Sequence, residues 1–167
     1  FNRESAKKIA EKNERRDVGH DFGTNPCSEI ILRSREFCNL SEVVVRPEDT
    51  EDSLLRKVRL ATILGTIQST LVNFKYVSKE WKKNCEEERL LGVSLTGIMD
   101  NKWTAGKING LEVLLENLKK MAVETNKEWA DKIGIKQAAA ITCVKPSGTV
   151  SQLVDSASGI HARHNPH

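Results

Sequence analysis

The feature that most restricts how this chain can fold is a repeated change of period. Two long stretches space their apolar residues helically: Leu54, Leu55, Val58, Ala61, Ile63, Leu64, Ile67, Leu71 and Phe74 in the first, and Leu111, Leu115, Leu118, Ala122, Thr125 and Trp129, with Leu114 beside them, in the second. Short β-branched or apolar runs at residues 42–45, 91–98 and 138–144 flank them and read as strands. Alternating strand and helix selects an α/β layer architecture over a bundle or a sandwich. The boundaries carry their own signals. Pro47 ends one strand, Asp49 or Thr50 caps the first long helix, and Gly134 offers a left-handed stop to the second. The breadth of the first apolar stripe implies deep burial. A wetter helix over residues 78–90 has Trp81 as its apolar anchor and Glu86, Glu87 and Glu88 outside, and residues 2–16 read as a charged, exposed helix. Gly19, Gly23 and the Asn25-Pro26 step make residues 17–26 a loop, with a short extended segment at residues 29–32 after it.

Charge and length exclude several classes. With 26 lysines and arginines against 23 acids, a net charge of +3 gives no footprint for nucleic acid. Nothing reaches the roughly 20 apolar residues needed to span a bilayer, and no basic-then-apolar leader opens the chain, so membrane and secretory readings are disfavoured. The cysteines at 27, 38, 85 and 143 lack the paired short spacing of a zinc ribbon and the density of a secreted disulfide scaffold, which suits a reducing, cytoplasmic setting. Only three or four strands can be counted in 167 residues, few for a sheet. Together with the absence of an initiator methionine before Phe1, this leads to the expectation that the chain is part of something larger.

The chemistry gathers near residue 27. In Gly-Thr-Asn-Pro-Cys-Ser-Glu-Ile, an extended backbone would place Asn25, Cys27 and Glu29 on one face. An amide can hold a diol, a carboxylate can take a hydroxyl proton, and a sulfur can act as nucleophile or radical carrier. A single cysteine beside an Asn-Pro turn is usually structural. Near the other end, the run Lys145, Pro146, Ser147, Gly148, Thr149, Val150, Ser151 reads as strand, small-residue turn and helix start, able to turn amides and hydroxyls toward an anion, with Lys145 adding charge, or to serve simply as a capped turn.

Two motifs in order carry a family resemblance. Residues 23–30, followed by Phe37-Cys38-Asn39-Leu40-Ser41-Glu42-Val43, resemble the active-site finger loop of ribonucleotide reductases, in the form found in the adenosylcobalamin-dependent, monomer-type ribonucleoside-triphosphate reductases. Residues 145–151, with Ser158-Gly159-Ile160-His161 after them, resemble that family's substrate-phosphate loop, and the stretch from Asn84 to Val93 also looks like family sequence. The resemblance implies that residues 1–167 are part of a ten-stranded α/β barrel, incomplete here, with the finger loop at about 23–41 and the phosphate loop at about 145–151. It implies a thiyl radical on Cys27, a proton acceptor in Glu29, a sugar-hydroxyl ligand in Asn25, and in Cys38 one member of the dithiol that reduces the 2′ carbon, with its partner on an earlier strand. It further implies a ribonucleotide substrate bound through Ser147, Gly148, Thr149, Val150 and Ser151, adenosylcobalamin as cofactor, a thioredoxin-type dithiol as reductant, and the rest of a parent chain as structural partner.

Other readings stand beside this one. The same reaction can draw its radical from a separate diiron subunit, although Tyr76 is the one tyrosine present. The chain could instead be a noncatalytic α/β interaction module docking through residues 2–16, or a thiol oxidoreductase using Cys27 and Cys38, which lacks the short Cys-x-x-Cys spacing. Cys85 and Cys143 read as small structural hydrophobes. His161, His164 and His167 recur at a spacing of three in a polar tail, and no metal is assigned to them.

Overall fold

The structure, a computed structural model, describes residues 2–13 and 16–163. Its centre is a parallel pair, β3 (Asn39–Val44) beside β4 (Leu91–Thr96), in register from Asn39 opposite Leu91 to Val44 opposite Thr96. The apolar run at 138–144 joins β4 on its other side. Leu91 and Val93 donate backbone hydrogen bonds to Ala140 and Ile141, and Cys143 donates to Val93, with a parallel bridge between Val93 and Thr142. The expected α/β layering is therefore present.

Period two divides the sheet between two jobs. Val43, Val45 and Val93 face α2 (Glu51–Gln68) and α4 (Leu111–Ile133), where they form one core with Leu54, Val58, Leu114, Leu118 and Ala122. Burial of such side chains stabilises by about 1.5–3 kcal/mol each. On the opposite face Leu40, Cys38, Cys143 and Leu90 pack with Ile30 and Leu32, residues of the segment that contains Cys27. Gly92 permits that approach: a Cβ there would stand 2.4 Å from Leu40 Cδ2 and 3.2 Å from both Cys143 Sγ and Ile30 Cδ1.

The helices follow their caps. Thr50 and Ser53 form a reciprocal capping box at the start of α2, and Gly134, at a φ of 76°, closes α4 as expected. α2 ends earlier than the apolar spacing implied, because the hydroxyls of Ser69 and Thr70 bond the Thr66 and Ile67 carbonyls and leave Leu71 and Phe74 outside it. Its deep burial is also one-sided: Leu54 and Val58 are buried, while Leu60, Leu64 and Ile67 are exposed. The buried stripe of α4 centres on Leu114, Leu118 and Ala122, with Leu115 exposed, a rotation from the expected face that follows the position of α2.

Two expectations about charge and loops are corrected. In α3 (Lys79–Glu88), Glu88 is fully buried rather than outside. It accepts from Arg16, and Arg33 lies beside it, so its burial depends on partners remote in sequence. The loop at 17–26 contains strand β1 (Phe22–Thr24), which pairs antiparallel with β2 (Ile31–Arg33) as a hairpin. α1 (Asn2–Asn13) packs against that hairpin, and α5 (Thr149–Leu153) follows the second motif.

Candidate functional site

The hairpin tip replaces the extended arm expected from alternation. Ser28 N–H donates to the Asn25 carbonyl at 2.9 Å, Asn25 N–H donates to the Ile30 carbonyl at 3.2 Å, and Ser28 takes a φ of 62°. The Asn25 side chain reinforces the turn by accepting from Ile30 N–H at 3.0 Å. Pro26 and this Asx contact make a tight turn the cheaper local solution, so Asn25, Cys27 and Glu29 do not form a period-two face. Cys27 is exposed at the tip, whereas the Glu29 side chain, at its root, is 1% exposed.

The Glu29 carboxylate is buried without a hydrogen-bond partner among the described residues, and Lys145 Nζ stands 3.4 Å from Oε1 as an ion pair. Burial pushes this carboxyl upward, yet its own backbone N–H, the Asn25 side chain and the Lys145 ammonium outweigh it and hold the group below its ordinary range. A buried, ionised carboxylate with open lone pairs is prepared to accept a hydrogen bond from a donor brought to it.

Cys38 sits just before β3, half-buried, in the same apolar cluster as Cys143. Burial first, then the nearby Glu29 carboxylate, raises the Cys38 thiol. The same two causes act on Cys143, and with Cys38 they push it up to about 12. All four cysteines are free. Cys143 packs as the structural hydrophobe expected, but beside Glu29 and Cys38, a proximity that no local pattern in the sequence signals. Cys85 is buried and accepts from Phe37 N–H.

The second motif is organised from within. Ser151 N–H donates to Ser147 Oγ at 2.9 Å, and Ser151 Oγ donates to the Gly148 carbonyl at 3.0 Å, with both serines buried. Gly148, Thr149 and Val150 are exposed. α5 has only five residues, so its dipole is small. Lys145, expected to add charge at this loop, instead faces Glu29 and ties the second motif to the hairpin.

The base of the hairpin is fixed by buried charge. Arg16 and Glu88 are paired, Arg16 also donates to the Ile31 carbonyl at 3.0 Å, and Arg33 reaches Glu87, Glu88, Glu36 and the Asn84 carbonyl. Sequence reading missed this cluster, since Arg and Glu on charged segments look solvated until the fold brings them together. His164 and His167 lie outside the described residues, and among those described no group of three or more candidate ligands gathers for a metal ion. No helix among the described residues is long and apolar enough to cross a membrane.

No family model matches the chain. Relatives named adenosylcobalamin-dependent ribonucleoside-triphosphate reductase are similar to it: that of Lactobacillus acidophilus at 29% identity over 165 residues, covering 83% of this chain and 22% of the relative, and that of Lactobacillus leichmannii at 26% over 166 residues with the same coverage. The relative from Lactobacillus gasseri is 27% identical over 172 residues, covering 88% of this chain and 23% of its own length. The chain thus spans about a fifth of the length of the curated relatives it matches. Among solved structures, a B12-dependent, class II ribonucleotide reductase superposes with a TM-score of 0.70 at 24% identity, covering 87% of this chain and 23% of that one, so the fold is shared.

Proposed function

We propose that this chain, a homologue of one segment of the adenosylcobalamin-dependent ribonucleoside-triphosphate reductases, supplies the radical-bearing hairpin and part of the α/β wall of a ribonucleotide reductase. The observation that carries the proposal is the buried Glu29 carboxylate with open lone pairs, held next to Cys38 at the root of a hairpin whose tip presents Cys27.

In this reading each group has one task. Cys27, as a thiyl radical, takes the 3′ hydrogen atom of the ribose and returns it at the end of the cycle. Glu29 accepts the 3′-hydroxyl proton, which makes the sugar radical electron-rich and eases loss of the 2′-hydroxyl as water. The Asn25 amide, its oxygen fixed by Ile30 N–H and its side chain acting on Glu29, holds the sugar hydroxyls beside that carboxylate. Cys38 and a partner thiol from an earlier strand give the two electrons and end as a disulfide, so one ribonucleotide and one dithiol yield one deoxyribonucleotide, one disulfide and one water. A thioredoxin-type dithiol then restores the pair. The exposed backbone and hydroxyl groups of Gly148, Thr149 and Val150 take the substrate phosphates, and Ser147 and Ser151 hold that loop in shape.

The fit to adenosylcobalamin is partial. Cys27 at an exposed tip is open to a hydrogen-abstracting group brought from outside the chain, while the described residues near it form no cradle for a corrin. When bound by the rest of the enzyme, that cofactor supplies the radical that oxidises the Cys27 thiol. The names of the relatives favour this source over a diiron subunit.

Glu29→Gln in the full-length enzyme tests the reading, because it preserves shape and removes the proton acceptor. Nucleotide reduction should fall by about 10²-fold or more, the scale of a positioned acid–base group, with the fold unchanged by circular dichroism. Wild-type turnover would leave the noncatalytic module as the better account.

A further inference from the structure

Lys145 belongs to the second motif by sequence, yet its contact is with the first. Its Nζ stands 3.4 Å from Glu29 Oε1 without hydrogen-bond geometry, and the two side chains are 22% and 1% exposed. Its backbone is wedged in place. Gly159, at a φ of 54°, lies so close that a Cβ there would meet the Lys145 carbonyl at 2.7 Å, and Gly159 N–H donates to Thr96 Oγ1 at 2.9 Å. The lysine therefore stands on a platform fixed to the end of β4 rather than on a free loop.

We infer that Lys145 is a positioning residue for the acid–base chemistry of the hairpin: its ammonium keeps the buried Glu29 carboxylate ionised, and the non-bonded geometry leaves an oxygen lone pair open for a substrate hydroxyl. This deepens the proposed ribonucleotide reductase reading and rests on it for its functional meaning. Opposed effects act on the Glu29 carboxyl. Desolvation favours the protonated acid; the Glu29 backbone N–H, the Asn25 side chain and the Lys145 ammonium oppose it, and of these three Lys145, 3.4 Å from Oε1, is the one that carries a full charge. The remaining ionisable neighbours do not help. Cys38, just before β3, and Cys143, in the 138–144 run beside β4, are thiols held protonated by the same burial, and Glu42, which acts on Cys143, is a like charge. A lysine so engaged offers a diminished charge to a phosphate, which distinguishes this role from that of an anion anchor.

The test reads the carboxyl itself. Carbon-13 NMR titration of Glu29 in the 167-residue chain should show its midpoint rising by about one pH unit or more in Lys145→Met, and staying near wild type in Lys145→Arg. Lys145→Gln should report the same rise if the methionine variant does not fold. In the full-length enzyme the acidic limb of the pH–rate profile should move upward with the midpoint. An unchanged midpoint in both neutral variants overturns the inference. So does a midpoint that holds while affinity for inorganic tripolyphosphate drops tenfold, since that outcome assigns Lys145 to phosphate. The titration needs no turnover, so failure of the proposed activity shows separately, in Glu29→Gln.

Discussion

Arg16 and Glu88 stand 72 positions apart and meet as a buried guanidinium–carboxylate pair, with contacts of 3.1, 3.1 and 2.5 Å and each side chain 1% exposed. The pair links the start of the hairpin to α3. Removing one member strands the other charge out of water, which typically costs about 3–5 kcal/mol, whereas removing both with apolar residues of similar size costs far less. Glu88→Leu should accordingly lower the urea midpoint sharply, and the double variant Arg16→Met, Glu88→Leu should recover much of it. Equal loss in single and double variants would show that packing, not charge, sets the effect.

Glu36 makes the same cluster sensitive to pH. Arg16 and Arg33 face three carboxylates, Glu36, Glu87 and Glu88, so one extra proton balances the charge. Burial first and the Glu88 carboxylate next push Glu36 up to about 8, against the opposing pull of Arg33. A group that holds its proton more tightly when folded stabilises most below its ordinary value of 4.5, and that contribution declines as pH rises, levelling off above about 8. Urea unfolding across pH 5 to 9 should show this fall, and Glu36→Gln, which mimics the protonated acid, should flatten it. A wild-type slope that persists in Glu36→Gln assigns the titration to another group.

The four thiols should separate by reactivity. Cys27 is exposed, Cys38 and Cys85 are raised by burial, and Cys143 is pushed up to about 12. Since the thiolate is the reactive form, limited alkylation at about pH 8 should label Cys27 first and Cys143 last. Peptide mass spectrometry reads the order directly. Early labelling at Cys143 would mean that the packing around Gly92 opens in solution.

Made alone, this chain should not reduce nucleotides. It spans about a fifth of the length of its relatives, and the proposed partner of Cys38 belongs to an earlier strand. Assay of the purified chain with adenosylcobalamin, ribonucleoside triphosphate and dithiol should give no deoxynucleotide beyond that of a Cys27→Ala control; any excess would contradict the expectation.

What the sequence revealed was mostly local. The capping box at Thr50 and the left-handed stop at Gly134 are decided by a few adjacent residues, and both stand where their residue types placed them. The end of α2 was misjudged because hydroxyls at Ser69 and Thr70, which bond nearby carbonyls, override an apolar spacing that continues past them. The hairpin at Asn25–Glu29 was misjudged for a related reason: alternation describes a strand, and an Asn-Pro step favours a turn. Glu88 and Lys145 were illegible in a different way. Their environments depend on Arg16 and Glu29, whose proximity exists only once the chain is folded, so no window of neighbouring residues contains the information.

The exposed row on α2 has a practical consequence. Leu60, Leu64, Ile67 and, just past the helix end, Leu71 lie along one side, 61%, 61%, 44% and 71% exposed. Beside them the outer edge of β3 carries no strand among the described residues. Apolar surface next to a strand edge that no other strand covers is what chaperones grip and what seeds clumping. When this polypeptide is produced by itself that row meets solvent, so replacing Leu60, Leu64 and Leu71 with polar residues should raise its soluble yield.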